Sequence, residues 1–178
     1  MSPGRSIIGL GLLAAGMLAL TAPGVGGTAF VTAAAVALLP LPLYVGVALW
    51  LDRFEPEPRV LLAVAFLWGA SAAVILAGLA NGLMEDAIGG LLTSVLTAPI
   101  VEETLKAAVL VWIFRRHRDE FDGAVDGVIY AAMTGLGFAF AENVDYYGRA
   151  FRQDGAGGLA VIFTLRGVLA PFSHPLFT

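Results

Sequence analysis

The chain has 178 residues, of which 58% are hydrophobic and 13% are charged, about half of the ~25% charged fraction that is usual in a soluble domain. Its formal net charge is -4, and without a basic stripe the sequence gives no indication of nucleic-acid binding. The lack of cysteine excludes disulfides, thiol nucleophiles and thiolate metal sites. Long apolar runs with few charges are typical of an integral membrane protein.

Six apolar segments are visible, and no alternating ten-residue strand pattern competes with them. They cover roughly residues 6–22, 28–51, 60–80, 88–114, 123–147 and 158–178. Because a helix that spans a bilayer needs about 20 residues, we predict an all-α, polytopic transmembrane helix bundle with about six spans. Pro99 divides the fourth segment, since proline suits the first turn of a helix.

The first segment favours an uncleaved span over a signal peptide, because no A-x-A cleavage site follows it. We therefore predict an N-terminal hydrophobic span, residues 1–27, and a membrane-embedded core, residues 28–178. A cytoplasmic N-terminus places most of the arginines between segments on the inner side, as the positive-inside rule requires. The inner arginines are then Arg5, Arg53, Arg59, Arg115, Arg116 and Arg118, and the outer ones are Arg149 and Arg152.

The fourth segment, "TAPIVEETLKAAVLVWIF", carries Glu102, Glu103 and Lys106, and an ionisable residue inside a span is by default a candidate functional residue. Lys106 lies four residues after Glu102 and three after Glu103, so it can pair with either carboxylate but neutralises only one. The other carboxylate then needs a proton, a metal or another partner. Two carboxylates in different environments are a common source of an acid and a base. The structural alternative is an ion pair that joins helices.

Two later segments also carry polar side chains. The fifth has Glu142 and Asn143, in "GLGFAFAENVDYY", and the sixth has Arg166 and His174. Measured from the predicted cytoplasmic edge, Glu142 lies about 24 Å deep and the glutamates of the fourth segment about 18 Å deep. If Arg166 marks the outer water boundary, His174 lies about 12 Å below it, at a similar level. This placement also predicts that the sixth span continues beyond Thr178.

Three glutamates and a histidine at one depth suit a proton-transfer site or a divalent metal, and Zn²⁺ accepts both imidazole and carboxylate ligands. Such a site could activate water for peptide hydrolysis with a glutamate as general base. Either Glu102 or Glu103 takes that role. The other, with Glu142 and His174, holds a metal or supplies protons and oxyanion stabilisation. The predicted metal set is Glu103, Glu142 and His174, and Lys106 tunes the glutamate pair electrostatically.

Two other functions are compatible with the same residues. Buried carboxylates also build ion pathways, so a proton- or cation-coupled transporter is an alternative, although no internal repeat supports it. A non-catalytic scaffold could use the polar residues to hold helices together. Asn143 could likewise bind the substrate or only a neighbouring helix. Gly135 and Gly137 are expected to let helices pack closely.

Several motifs resemble those of the PrsW family of intramembrane proteases. "PIVEETLKA" is similar to its E-E-x-x-K motif, "FAFAEN" to its F-x-x-x-E-N motif, and "SHPLFT" to its histidine-centred third motif. "LDRFEPEPR" resembles the D-R-[YF]-E-P-E-P loop of the family, and "FDGAVDGVIYAAMTGLGF" resembles the stretch between the first two motifs. The resemblance covers about residues 40–178.

This resemblance implies a place in the wider group of CAAX proteases and bacteriocin-processing proteins, and a membrane-anchored protein as substrate. Anti-sigma factors in stress signalling are substrates linked to PrsW-type members. Glu102 and Glu103 match the first motif, Glu142 the second and His174 the third, while Thr178 stands where the wider group has asparagine. Two departures are visible. The second motif of the wider group has histidine at the position of Glu142, and proline follows His174 where alanine is expected.

Overall fold

The computed structural model describes residues 3–170, and within this range the chain is helical, with no strand. The α-helices are α1 (Pro3–Val25), α2 (Gly27–Leu38), α3 (Leu41–Leu51), α4 (Arg59–Trp68), α5 (Val74–Ile88), α6 (Gly90–Leu92), α7 (Ala98–Arg116) and α8 (Ala124–Phe163). A 3₁₀ turn, Asp52–Phe54, follows α3, and π-helical segments occupy Gly69–Ala73, Thr93–Thr97 and Thr164–Leu169. The predicted all-α class is confirmed.

Three continuous helical stretches among the described residues are long and apolar enough to cross a membrane: Gly27–Phe54, Arg59–Ile88 and Ala124–Leu169. The prediction of about six spans is therefore not supported. The apolar stretch of α1, Ser6–Ala19, is shorter than the about 20 residues that a crossing needs. The fourth predicted segment is interrupted at Gly89 and carries its charges on α7, while the fifth and sixth join into one helical stretch.

The joined stretch reverses direction at Gly155, whose backbone angles are φ 64° and ψ -150°. Such a positive φ is open to glycine because it has no Cβ. The two arms then run antiparallel, so that the rings of Tyr147 and Phe163 lie 6.0 Å apart, centroid to centroid. The reversal also brings residues 164–169 alongside residues 142–147, although they are distant in the sequence. The hairpin places Arg166, in its second arm, next to Glu142 of the second motif.

Helix α4 and the π-helical segment that follows it cross α8 in direct backbone contact at two glycines. A Cβ atom on Gly69 would lie 2.0 Å from the carbonyl oxygen of Thr134, and one on Gly137 would lie 2.0 Å from the carbonyl oxygen of Phe66. Both distances are far below an ordinary van der Waals contact, so only glycine fits. The packing role predicted for Gly137 agrees with this geometry.

Three apolar clusters hold the bundle together. The first joins α3, α4, α7 and the first turns of α8, and the second joins α2 to both arms of the hairpin. The third places Phe138 of α8 against Ala73 and Ala77, beside Val101 and Leu105 of α7. The third cluster therefore fixes α5, α7 and α8 relative to one another, and these helices carry the polar residues predicted for the site.

The "DRFEPEP" loop is fastened to the start of α8 by buried acidic groups. Asp52 accepts a hydrogen bond from the backbone N–H of Glu57 at 3.0 Å, and the hydroxyl of Tyr130 donates to the Glu57 carboxyl. Asp126 accepts from the backbone N–H groups of Asp122 and Gly123, at 2.9 and 2.7 Å, and so caps the helix. Burial raises the pKa of Glu57 to about 7, and the charges of Asp126 and Asp52 add to the shift.

Candidate functional site

Helix α7 carries the first motif. It begins at Ala98 with Pro99 in its first turn, as the sequence predicts, and it follows the π-helical segment Thr93–Thr97. Proline is favoured there because its missing N–H would have no helical partner. The helix therefore starts one turn before Glu102, and the two glutamates and Lys106 all lie on the same regular helix.

Lys106 pairs with Glu103. Its Nζ lies 2.6 Å from Glu103 Oε1 and 4.0 Å from the centroid of the Phe138 ring. The Lys106 side chain is completely buried, whereas 27% of the Glu103 side chain is exposed. A buried ammonium needs such a carboxylate and aromatic face, because its desolvation is otherwise costly. Of the two pairings that the sequence allows, the structure contains the one between neighbours three residues apart.

Glu102 has a different neighbour. The side-chain amide Nδ2 of Asn81, on α5, donates a hydrogen bond to Glu102 Oε1 at 3.3 Å. Asn81 lies between the predicted apolar segments 60–80 and 88–114, and the structure places it inside α5. Glu102 thus accepts from an amide on α5, and Glu103 pairs with an ammonium on its own helix. A neutral asparagine gives little signal in a sequence, and only its position inside an apolar helix could have identified it.

Glu142 is held by Arg166 from the second arm of the hairpin. Arg166 Nη2 lies 2.9 Å from Glu142 Oε2, and Arg166 Nε donates to Asn143 Oδ1 at 2.7 Å. The guanidinium also lies 4.0 Å from the centroid of the Tyr146 ring. The planar fork of arginine suits this arrangement, because its N–H groups can reach two acceptors while its face stacks on an aromatic ring. Asn143 thus contacts the neighbouring helical arm, as one of its two predicted roles requires.

Glu102 and Glu142 line one cavity of about 670 Å³. Its other lining residues include Asn81 and Glu85 of α5, Phe138 and Asp145 of α8, and apolar side chains such as Val74 and Ile75. Glu103 is not among the described lining residues. The structure therefore brings Glu142 of the second motif to the same cavity as Glu102 of the first motif. Glu103, the other glutamate of the first motif, pairs with Lys106.

His174 and Thr178, the predicted third-motif residues, lie outside the described residues. Among residues 3–170, no group of three or more histidine, aspartate or glutamate side chains is placed to hold a metal ion. Glu103 and Glu142 also each face a cationic side chain, Lys106 or Arg166. The described residues do not by themselves fit a metal.

Long apolar helices and partly buried carboxylates around a shared cavity define a polytopic membrane protein with a polar site inside its helix bundle. Comparison with known proteins identifies the family of this membrane protein. The chain belongs to the PrsW family, because the model of the family described as "PrsW family intramembrane metalloprotease" matches residues 57–178. The predicted resemblance to this family is confirmed. The comparisons do not extend to the wider group of CAAX proteases, which stays a prediction.

Curated relatives point to the same family. Protease PrsW of Clostridioides difficile is 34% identical over 114 residues, which cover 60% of this chain and 47% of the relative. Protease PrsW of Geobacillus kaustophilus is 31% identical over 129 residues, covering 71% and 53%, and that of Bacillus subtilis is 30% identical over 97 residues, covering 53% and 44%. The chain spans about half the length of the curated relatives it matches. No solved structure gave a significant match.

Proposed function

We propose that this chain forms the core of an intramembrane endopeptidase that cleaves a membrane-anchored protein. The observation that carries the proposal is the shared cavity, where Glu102 of α7 and Glu142 of α8 face the same space. Membership of a family described as intramembrane metalloproteases supports it. An anti-sigma factor in stress signalling is the substrate class that the motif resemblance suggests. The proposed orientation in the cell membrane has a cytoplasmic N-terminus, from the distribution of arginines.

Glu102 is the proposed general base. It lines the cavity and accepts a hydrogen bond from Asn81, whereas Glu103 pairs with Lys106 and is not among the described lining residues. A general base must reach the proton that it removes, so the glutamate that faces the cavity is the better placed of the two. In the proposed reaction Glu102 accepts a proton from water while the water oxygen bonds to the scissile carbonyl carbon. The C–N bond then breaks, and the proton passes to the leaving nitrogen.

Glu142 and Arg166 have the proposed role of stabilising negative charge at the scissile carbonyl. Glu142 lines the cavity and holds the Arg166 guanidinium next to it, where a fixed positive group favours the developing oxyanion. His174 is proposed to act beside them. The zinc set of Glu103, Glu142 and His174 stays a prediction, since His174 lies outside the described residues. Bound zinc would supply a Lewis acid for the attacking water, and the residue roles given above would stay the same.

The proposal is tested by cleavage of single-span peptides carrying a fluorophore and a quencher, with the purified protein in lipid vesicles. We expect cleavage by the wild type and loss of it in Glu102→Gln and Glu142→Gln. Glu120→Gln is the matched control, because Glu120 is an exposed glutamate of the loop before α8. Full cleavage by both site variants would contradict the site, and a lack of cleavage by the wild type across the peptide panel would contradict the protease.

A further inference from the structure

One polar group beside the cavity has no hydrogen-bond partner among residues 3–170. The side-chain carbonyl oxygen of Asn81, Oδ1, is buried and accepts no hydrogen bond from any described residue. Buried polar atoms are nearly always paired, so an exception of this kind is a candidate contact for a ligand. Asn81 lines the cavity together with Glu102 and Glu142. The unpaired oxygen therefore lies next to the proposed reacting groups.

The other half of the same amide is engaged. Asn81 Nδ2 donates to Glu102 Oε1 at 3.3 Å, which fixes the orientation of the amide, since the reverse orientation would place two acceptor oxygens against each other. With Nδ2 on Glu102, the carbonyl oxygen must point to a different donor. The Asn81 side chain thus contacts the proposed base, Glu102, through Nδ2, and its Oδ1 is available to accept a hydrogen bond from an N–H or O–H group.

An extended peptide inside a membrane carries the complementary group. A substrate segment must leave its helix before its peptide bond can be cleaved, and its backbone N–H groups then lose their partners where water is scarce. A buried carbonyl oxygen beside the catalytic carboxylate is a suitable acceptor for one of them. Water could also fill this position, but it would not distinguish one substrate backbone from another.

We propose that Asn81 is a substrate-binding and positioning residue: its Oδ1 accepts a backbone N–H of the extended substrate segment, while its Nδ2 orients Glu102. This inference rests on the proposed function. It adds a residue from α5 to a site that the sequence motifs assign to other segments. It also commits the site to substrates that are unfolded locally at the cleavage position.

The test pairs variants with altered substrates. A single-span peptide that the wild type cleaves is compared with derivatives in which one backbone N–H at a time near the cleavage position is replaced by an ester oxygen. We expect one ester to lower kcat/KM of the wild type about ten-fold, the effect of about one lost hydrogen bond. Asn81→Leu should cleave the peptide and that ester at the same rate, because the acceptor is gone. This cycle isolates the contact from other effects of either change.

The role toward Glu102 is read from kcat. Asn81→Asp keeps an acceptor oxygen and should retain the discrimination against the ester. Both Asn81→Asp and Asn81→Leu remove the Nδ2–H donor that orients Glu102, so kcat should fall in both variants, by about ten-fold for one lost hydrogen bond.

Met84→Leu is the control on α5, because Met84 is exposed and does not belong to the described cavity lining. Equal discrimination against every ester by the wild type and Asn81→Leu, with an unchanged kcat, would overturn the inference. That failure is separable from failure of the proposed function. If Glu102→Gln abolishes cleavage, the site stands and only the role of Asn81 is lost, whereas full activity of Glu102→Gln removes both.

Discussion

The crossing of α4 and α8 gives the most direct prediction about stability, through Gly137→Ala. The new Cβ would lie 2.0 Å from the Phe66 carbonyl oxygen and 3.1 Å from the backbone nitrogen of Ala70. Ordinary contacts begin near 3.4 Å, so the helices must separate by about 1.4 Å at this point. The obstacle is backbone and cannot rotate away, so the loss should lie at the upper end of the usual cost of overpacking, about 3 kcal/mol.

The measurement is the free energy of unfolding of the purified protein in mixed micelles, compared with a matched variant. Gly46→Ala is that control, since a Cβ on Gly46 of α3 meets nothing within 4 Å. It should be neutral or stabilising by up to about 1 kcal/mol, because alanine is the better helix former. The separation would also displace α8, which carries Glu142, so cleavage should fall in Gly137→Ala as well. Equal stability of the two variants would refute the close crossing.

Three further predictions concern the Lys106–Glu103 pair, the buried Glu57 carboxyl and the predicted zinc. Lys106→Met should destabilise the protein by about 3 kcal/mol, because it leaves the Glu103 carboxylate without its ammonium. Glu103→Gln together with Lys106→Met should recover most of that loss in a double-mutant cycle. Additive losses of stability would contradict a coupled pair. The pKa of Glu57 is raised from 4.5 to about 7, so the folded state binds the proton more tightly than the unfolded state, and stability should fall by up to about 3 kcal/mol as the pH rises from 4.5 through 7. Glu57→Gln should flatten this dependence in urea titrations at pH 5 and pH 8, and an unchanged slope would show that Glu57 is not its source. Chelation should abolish cleavage and Zn²⁺ should restore it, with His174→Ala losing bound zinc in elemental analysis, whereas full cleavage by metal-free protein would contradict the predicted zinc.

The sequence predicts the parts of the site that depend on local order. Pro99 marks the start of α7, and the spacing from Glu102 and Glu103 to Lys106 limits the possible ion pairs to two. Both follow from the helical repeat, which is a property of neighbouring residues. The motifs also predict the family, since their order along the chain is a property of the sequence itself.

Contacts between distant residues could not be predicted in the same way. Arg166 reaches Glu142 across 24 residues only because Gly155 reverses the chain. Asn81 reaches Glu102 from another helix, and its neutral side chain does not stand out in an apolar stretch as a charge does. Six apolar segments predict about six spans, whereas three stretches among the described residues are long and apolar enough to cross a membrane. Counting apolar segments does not show where helices break or join.

The role of Glu102 as the general base is tested by the Glu102→Gln variant. Glutamine keeps the shape of glutamate and can still accept the hydrogen bond from Asn81, so the fold and the cavity should persist. The measurement is the rate of a single turnover of a cleavable single-span peptide, with the free energy of unfolding determined on the same preparation. We expect a rate lower by about 10²- to 10⁴-fold at unchanged stability. A rate within a few-fold of the wild type would contradict it.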